Sequence, residues 1–285
     1  MLSSKLKYLL TVCLILSSVS AFGGPVLRLS GIPDENPTEL QRKFQPMVDR
    51  LQRDLGMKVE YVPVIDYGAA VSALAAGKID FAWLGGFTYV QAKVMAGAQP
   101  VVMRDIDRQF TSVFVANAAS GIHRVEDMKG KTFAFGSKSS TSGHLFPRHY
   151  LQTTYHIDPE KDFAGPPVFS GAHDATVKMV ESGKVQAGAV NVEVWNRMVK
   201  EHQVDTNKVK VIWTTPQYCD YVWTARKDLA PEVVQKFATS FLTLDDSRPE
   251  DKKVLEVQGA KKFVRANPKD FEIVEQVARS TGLLK

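Results

Sequence analysis

The stretch Phe133-Ala-Phe-Gly-Ser-Lys-Ser-Ser-Thr-Ser-Gly-His-Leu145 joins a short apolar run, a hydroxyl-rich loop and the start of a second apolar run. It predicts a strand that breaks at Gly136 and a helix that begins between Ser140 and Ser142, because Ser, Thr and Gly are preferred N-cap residues. The first N–H groups of such a helix have no partner within it, and they carry partial positive charge. With three adjacent hydroxyls, the stretch favours a site for a phosphate-like oxyanion, although an ordinary serine-rich cap explains the same residues equally well.

Strand-like and helix-like segments alternate on both sides of this stretch. The predicted strands lie near residues 26–32, 58–63, 79–84, 100–104, 110–117, 167–169, 185–190 and 209–213. The predicted helices between them lie near residues 38–55, 68–76, 87–96, 173–181 and 192–201. This order is typical of βαβ units and predicts an α/β protein with mainly parallel sheets. Three amphipathic helices, near 231–244, 249–266 and 268–281, are predicted to follow with no strand among them.

The chain contains one internal echo. A single offset superposes Tyr67-Gly-Ala-Ala-Val71 on His173-Asp-Ala-Thr-Val177 and also Gly77-Lys-Ile-Asp-Phe81 on Gly183-Lys-Val-Gln-Ala187. We interpret this as two lobes that each contain a helix–Gly-Lys–strand unit. Chance similarity between two βαβ units is the alternative interpretation.

Two crossings would connect such lobes. The polar run Ala118-Ala-Ser-Gly121 predicts the first crossing, and residues 221–225 predict the return. The predicted division is therefore a signal peptide over 1–21, a first lobe over 22–116 and 219–285, and a second lobe over 117–218. Hinge motion is expected near Asn117 and near residues 220–224.

The predicted strand ends nominate further site residues. In open α/β sheets, ligands bind beyond the carboxyl ends of strands, where the following helices begin. Tyr67 and His173 stand just before helices at matched positions, whereas Phe87, Thr88 and Asn191 follow strands. Together with Ser140, Thr141 and Ser142 they would line a cleft between the lobes. Taken singly, Tyr67 is a packed aromatic residue and His173 a helix cap, but their matched placement favours a functional role.

The first residues have the pattern of a secretory signal peptide. Two lysines precede an apolar run over residues 8–19, and the small-residue pattern Val19-Ser-Ala21 follows. The run is shorter than the roughly 20 residues that a spanning helix needs. Cleavage after Ala21 would leave Cys219 as the single cysteine, so no internal disulfide is expected. An exported, soluble protein of a bacterial periplasm is the simplest interpretation.

The charge and motif content exclude several function classes. The formal charge of +5 is modest, and no basic cluster with interleaved aromatic residues marks a nucleic-acid surface. The sequence has no Gly-x-Ser-x-Gly elbow, no His-Glu-x-x-His and no Cys/His cluster, so neither catalytic residues nor a metal or other cofactor are predicted.

Five short motifs occur in order along the chain: Leu29-Ser-Gly-Ile-Pro-Asp-Glu-Asn-Pro-Thr38, Asp66-Tyr67, Ile79-Asp-Phe-Ala-Trp-Leu-Gly85, Ser140-Thr-Ser-Gly143 and Ser170-Gly-Ala-His-Asp174. Together they resemble the phosphonate/phosphite/phosphate-type periplasmic binding proteins of ABC importers, over almost the whole exported chain. The Ile-Pro-Asp-Glu-Asn-Pro-Thr-Glu-Leu opening is most similar to a subgroup labelled selenate-binding.

The resemblance implies a two-lobed type II binding-protein fold that closes on its ligand by hinge motion. It also implies that Ser140, Thr141 and Ser142 hold the oxyanion, with Tyr67 and His173 as further contacts. Within Tyr218-Cys-Asp-Tyr221, it implies ligand contacts from Asp220 and Tyr221. Asn191 departs from the acid that amine-binding members have nearby, so an aminoalkyl ligand is not expected.

These observations lead to one function and two alternatives. We predict a monomeric binding protein that delivers a small oxyanion to a permease in the inner membrane. The predicted ligands are phosphonate, phosphite or phosphate, with selenate as a further candidate. The alternatives are a sensor subunit for a membrane receptor and a hydrolase of small anionic esters.

Overall fold

The computed structural model describes residues 25–285, and the predicted signal peptide lies outside the described residues. Two sheets flanked by helices form two lobes. The strands are β1 Leu27–Gly31, β2 Val59–Tyr61, β3 Phe81–Leu84, β4 Gln99–Arg104, β5 Ser112–Asn117, β6 Phe133–Phe135, β7 Val168–Phe169, β8 Ala187–Asn191, β9 Val209–Thr214, β10 Val222–Ala225 and β11 Phe263–Arg265. The α-helices are α1 Pro37–Leu55, α2 Tyr67–Ala75, α3 Gly86–Ala96, α4 Phe146–Thr153, α5 His173–Glu181, α6 Val192–Lys200, α7 Pro231–Leu242, α8 Pro249–Gln258 and α9 Glu272–Ser280. Over this range, no helix combines the length and apolar character that crossing a membrane requires.

Both sheets are mixed: most strands of each sheet point the same way, as predicted, and antiparallel strands are inserted among or beside them. The first sheet has the order β11-β4-β10-β3-β1-β2, and the second has the order β7-β6-β8-β5-β9. Strands β1, β2 and β3 are parallel, as are β6, β7 and β8, but β10 runs antiparallel to β3 and β4, and β5 to β8 and β9. The reason is that β5 and β10 arrive from the other lobe. Each enters its sheet at the cleft edge, where β8 and β3 end, and so runs the opposite way.

The first crossing lies before β5 and not after it as predicted. Because β5 pairs with β8 and β9, the expected boundary between residues 116 and 117 falls inside a strand of the second lobe. The two crossing segments lie side by side, since the N–H groups of Phe110 and Tyr218 each donate to the other's carbonyl at 2.9 Å. The sequence gives no sign of this crossing, because it lies within the continuous apolar run 110–117. Gly121, in the predicted crossing, forms a turn within the second lobe.

The C-terminal region contains a strand that the sequence did not predict. The predicted helix over 249–266 ends at Gln258, because Gly259 adopts a left-handed conformation with φ of 64°. Three residues then form β11, which pairs antiparallel with β4 at the edge of the first sheet. A three-residue edge strand is too short to show the alternating pattern that predicts a strand. Gly259, however, is a residue type that commonly ends helices and could have been used to predict the end of α8.

The internal echo is confirmed. Helices α2 and α5 begin at the matched residues Tyr67 and His173, and the glycines that follow them, Gly77 and Gly183, have φ of 66° and 75°. Strands β3 and β8 then occupy matched positions. Each lobe therefore brings a helix start and a strand end to the cleft.

Candidate ligand-binding site

The predicted site residues all have buried side chains, at most 2% exposed. They are Tyr67, Phe87, Thr88, Ser140, Thr141, Ser142, His173, Asn191, Asp220 and Tyr221. Several of their hydrogen bonds join the two lobes, so the lobes are in contact around them. A ligand held among them would be shielded from water, which strengthens polar interactions.

The hydroxyl-rich loop has the predicted cap geometry. Ser140 is the N-cap, and its Oγ accepts the N–H of Gly143 at 2.9 Å. A single turn of π-helix, Thr141–Leu145, follows and leads directly into α4. Thr141 Oγ1 accepts the N–H of Phe87 from the other lobe at 3.0 Å. Both oxygens act as acceptors in these bonds, and each hydroxyl also has a proton to donate.

Asp220 lies against this loop with one carboxyl oxygen free. Its Oδ1 accepts the N–H of Gly86 at 2.8 Å, whereas its buried Oδ2 has no partner among residues 25–285. A Cβ at Gly85 would lie 3.0 Å from Thr141 Oγ1 and 3.1 Å from Asp220 Oδ1, so this close approach requires glycine. Burial raises the pKa of Asp220 to about 7, although the Gly86 N–H favours the charged form. Near neutral pH the carboxyl group can therefore hold a proton.

His173 and Tyr67 present neutral donors from the two lobes. His173 Nδ1 accepts the N–H of Asn191 at 3.2 Å, which leaves the ring proton on Nε2. Burial lowers the pKa of His173 to about 4 and raises the pKa of Tyr67 well above its usual value, so both stay neutral near pH 7. His173 Nε2 and Tyr67 Oη are buried and have no partner in the described chain.

Three predicted residues use their polar side chains within the protein. Thr88 Oγ1 donates to the carbonyl of Gly85 at 2.9 Å. Asn191 Oδ1 accepts two N–H groups at the start of α6, and its Nδ2 donates to Tyr221 Oη at 2.8 Å. These three residues therefore differ from Tyr67, His173 and Asp220, each of which has a buried polar atom with no partner in the described chain.

The geometry agrees with a family match. The profile of the family described as "ABC transporter, phosphonate, periplasmic substrate-binding protein" matches residues 29–271. The chain belongs to this family.

Two curated relatives of this phosphonate-type binding protein cover most of its length. It is 36% identical to the probable ABC transporter phosphite binding protein PhnD1 of Prochlorococcus marinus, over 98% of this chain and 99% of the relative. It is 30% identical to the phosphate-import protein PhnD of Mycolicibacterium smegmatis, over 79% of this chain and 74% of the relative.

A solved structure supports the fold assignment. PhnD1 of Prochlorococcus marinus in complex with methylphosphonate has a TM-score of 0.87 and 33% identity, and the match covers 91% of this chain and 99% of that one. The type II binding-protein fold and the role as the periplasmic substrate-binding component of an ABC transporter are thus confirmed. The relatives are transport proteins, and the sensor and hydrolase alternatives find no support. The likeness to a selenate-binding subgroup stays a prediction.

Sequence reasoning missed one buried acid that contacts the predicted site residues. Asp34 follows β1 and is 1% exposed, and its Oδ1 has no partner in the described chain. Its Oδ2 accepts the Tyr221 hydroxyl at 2.8 Å. The rule that ligands bind beyond strand ends, applied to β1 as well, would have found it.

We expect Gly143→Ala to damage both folding and ligand binding. The new Cβ would lie 2.9 Å from His173 Cε1 and 3.0 Å from Ser140 Oγ, closer than side chains normally approach. Such overpacking costs about 1–3 kcal/mol of unfolding free energy and would displace the His173 ring. Thermal unfolding and ligand titration measure the two effects. Gly68→Ala is the control, because its nearest neighbour would lie at an ordinary 3.4 Å; if both variants behave alike, the close packing at Gly143 is irrelevant.

Proposed function

We propose that the chain binds a small tetrahedral phosphorus oxyanion, such as phosphite, methylphosphonate or phosphate, and delivers it to an ABC permease. The observation that carries this proposal is the set of unpartnered buried groups at the lobe interface. Tyr67 Oη, His173 Nε2 and Asp220 Oδ2 have no partner within residues 25–285, and they are accompanied by the loop hydroxyls of Ser140 and Thr141. Buried polar groups cost free energy unless paired, so this set fits a ligand with several oxygens.

The donors and the acceptor match a partly protonated anion. Hydrogen bonds to charged oxygens are about twice as strong as neutral ones, and the hydroxyls, Tyr67 and His173 can supply them. Asp220 can accept a hydrogen bond from a P–OH group or, when protonated, donate one to an unprotonated oxygen. Two unprotonated partners would repel each other. Above its pKa of about 7, the Asp220 carboxylate therefore favours phosphorus oxyanions that keep a proton over sulfate and selenate, which have none to donate.

The relatives support the same chemical class. The names of two of them refer to phosphite and phosphate, and one solved relative is in complex with methylphosphonate. In this chain, residue 191 is an asparagine whose neutral amide bonds to α6 and to Tyr221, so it offers no charge to an alkylammonium group. We therefore propose small, non-amino phosphorus oxyanions as the ligands.

The proposal includes the cellular setting. Residues 1–21 would direct export and be removed, and the remaining chain would act as a monomer in the periplasm without nucleic acid and without catalytic turnover. The signal-like pattern, the modest charge and the family's role in import support this setting.

Titration calorimetry at pH 7 with phosphite, methylphosphonate, phosphate, 2-aminoethylphosphonate, sulfate and selenate tests the proposal. We expect one or more of the first three to bind most tightly. A thermal-shift assay gives an independent readout, because a ligand at a hundredfold excess over Kd stabilises the fold by about 2.7 kcal/mol. Tight selenate binding without binding of phosphite, phosphonates or phosphate would contradict the proposal.

A further inference from the structure

Four residues at the lobe interface form a closed ring of hydrogen bonds, which we call the closure ring. The carbonyl of Asp34 accepts the N–H of His173 at 2.9 Å, and His173 Nδ1 accepts the N–H of Asn191 at 3.2 Å. Asn191 Nδ2 donates to Tyr221 Oη at 2.8 Å. Tyr221 in turn donates to Asp34 Oδ2 at 2.8 Å, which completes the ring.

The closure ring joins the lobes through protein groups alone. Asp34 follows β1 and Tyr221 precedes β10 in the first lobe, whereas His173 begins α5 and Asn191 ends β8 in the second. Two of the four bonds therefore cross the cleft. All four side chains are at most 2% exposed, so breaking a bond without admitting water leaves an unpaired buried group, which costs more than the bond itself contributes.

The donors run from Asn191 to Asp34 along both sides of the ring: Asn191 donates to His173 and to Tyr221, and each of these donates to Asp34. Asn191 Oδ1 is held by the N–H groups at the start of α6, so its Nδ2 must face Tyr221. Tyr221 Oη accepts the hydrogen bond from Asn191 Nδ2 and donates its own O–H to Asp34. When Asp34 is ionised, it can only accept. The N–H of Asn191 also occupies His173 Nδ1, so Nε2–H remains for the ligand.

Neighbouring contacts hold the same loop against the second lobe. The backbone N–H and Nδ2 of Asn36 both donate to Asp174 Oδ2, at 3.0 and 2.9 Å, and Glu35 pairs with Arg197 of α6. Lys43 Nζ lies 4.0 Å from Asp34 Oδ2 and 3.0 Å from Glu35 Oε1. Lys43 would therefore keep an acidic partner if Asp34 were replaced.

The closure ring also bounds the site. Asp34, Asn191 and Tyr221 line a cavity of about 660 Å³ between the lobes, which Ser140, Thr141 and Ser142 do not line. The ring thus stands between this cavity and the hydroxyl loop. A ligand on the loop could leave this way only when the cross-cleft bonds open.

We propose that Asp34 is a positioning residue of the binding site: it completes the closure ring, holds His173 towards the ligand and slows ligand release. This inference rests on the proposed function. The Asp34 carboxylate accepts from Tyr221 and its backbone carbonyl accepts from His173, so a change of the Asp34 side chain acts through Tyr221.

Stopped-flow fluorescence with methylphosphonate tests the proposal, with Trp83 as a reporter because its ring stacks on Tyr221 at 5.5 Å. We expect Asp34→Ala to raise koff about tenfold or more and to change kon less than about twofold, since the ring forms after the ligand has entered. Tyr221→Phe should have a similar effect, and the double variant should release the ligand no faster than the faster single variant. Asp34→Asn keeps an acceptor oxygen and should restore much of the slow release. Asp49→Ala, which removes an equal charge from the exposed face of α1, is the matched control.

The outcomes separate this inference from the proposed function. If the wild type binds methylphosphonate and a folded Asp34→Ala protein releases it at the wild-type rate, the role of Asp34 is overturned and the proposed function stands. Additive effects in the double variant also overturn it, because Asp34 would then not act through Tyr221. If the wild type binds none of phosphite, methylphosphonate and phosphate, both fall. Should Asp34→Ala fail to fold, Tyr221→Phe removes a single hydroxyl and carries the same expectation for koff.

Discussion

Replacing Ser140, Thr141 and Ser142 together with alanine will reduce methylphosphonate affinity by at least about a thousandfold. Each hydrogen bond to a charged group contributes about 1.5–3 kcal/mol, and the triple variant removes three hydroxyl donors from the ligand. It also removes the bond between the Phe87 N–H and Thr141 Oγ1 that joins the lobes. Titration calorimetry measures the loss directly.

The fold should survive this change. Loss of the Ser140 cap costs about 1 kcal/mol of unfolding free energy, which thermal unfolding will show as a modest shift. Ser139→Ala is the matched control, because Ser139 lies in the same loop just before the cap and is only half-buried. Retention of wild-type affinity by a folded triple variant would show that the oxyanion is held elsewhere.

The affinity of the wild type for methylphosphonate will fall as the pH rises above about 7, by roughly tenfold for each pH unit once the shared proton is lost. Burial raises the pKa of Asp220 to about 7, so below that pH the carboxyl group is protonated and donates to the ligand. Above it, the carboxylate can only accept, and it repels a ligand that has also lost its proton. His173, with a pKa of about 4, and Tyr67, with a raised pKa, do not change charge in this range.

Asp220→Asn should remove most of this pH dependence, because the amide can donate or accept without titrating. Calorimetry between pH 6 and 9 compares the two proteins, and circular dichroism over the same range checks that both stay folded. If the affinity of Asp220→Asn still falls steeply as the pH rises, the proton whose loss weakens binding belongs to another group. Asp34 would then be the first candidate, because its burial raises its pKa as well.

The parts of the site that were predictable from sequence depend on local signals. The Ser140 cap follows from residue preferences at helix starts, and Tyr67 and His173 stand out because the same short pattern occurs twice. Chain-order patterns therefore placed the hydroxyl-rich loop, Tyr67 and His173 in one cleft. Asp220 was identified by resemblance to a family, and the structure shows its burial and its free oxygen.

The parts that were missed depend on contacts between distant segments. Nothing local in the apolar run 110–117 shows that the chain changes lobe before Ser112. The pairing of β11 with β4 and the bond from Tyr221 to Asp34 join segments separated by more than a hundred residues in sequence. Such partners are set by three-dimensional packing. Hydrophobic periodicity and secondary-structure propensity describe neighbouring residues only and do not predict them.

The place of β10 in the first sheet constrains the order in which the two halves can assemble. This strand lies between β4 and β3, and so fills an interior position with residues 222–225. All five strands of the second sheet come from the single segment 112–214, which precedes β10 in the chain. A polypeptide that emerges amino end first can therefore complete the inserted half while the enclosing half is still split in two. The first lobe, which begins the chain, is therefore completed after the second.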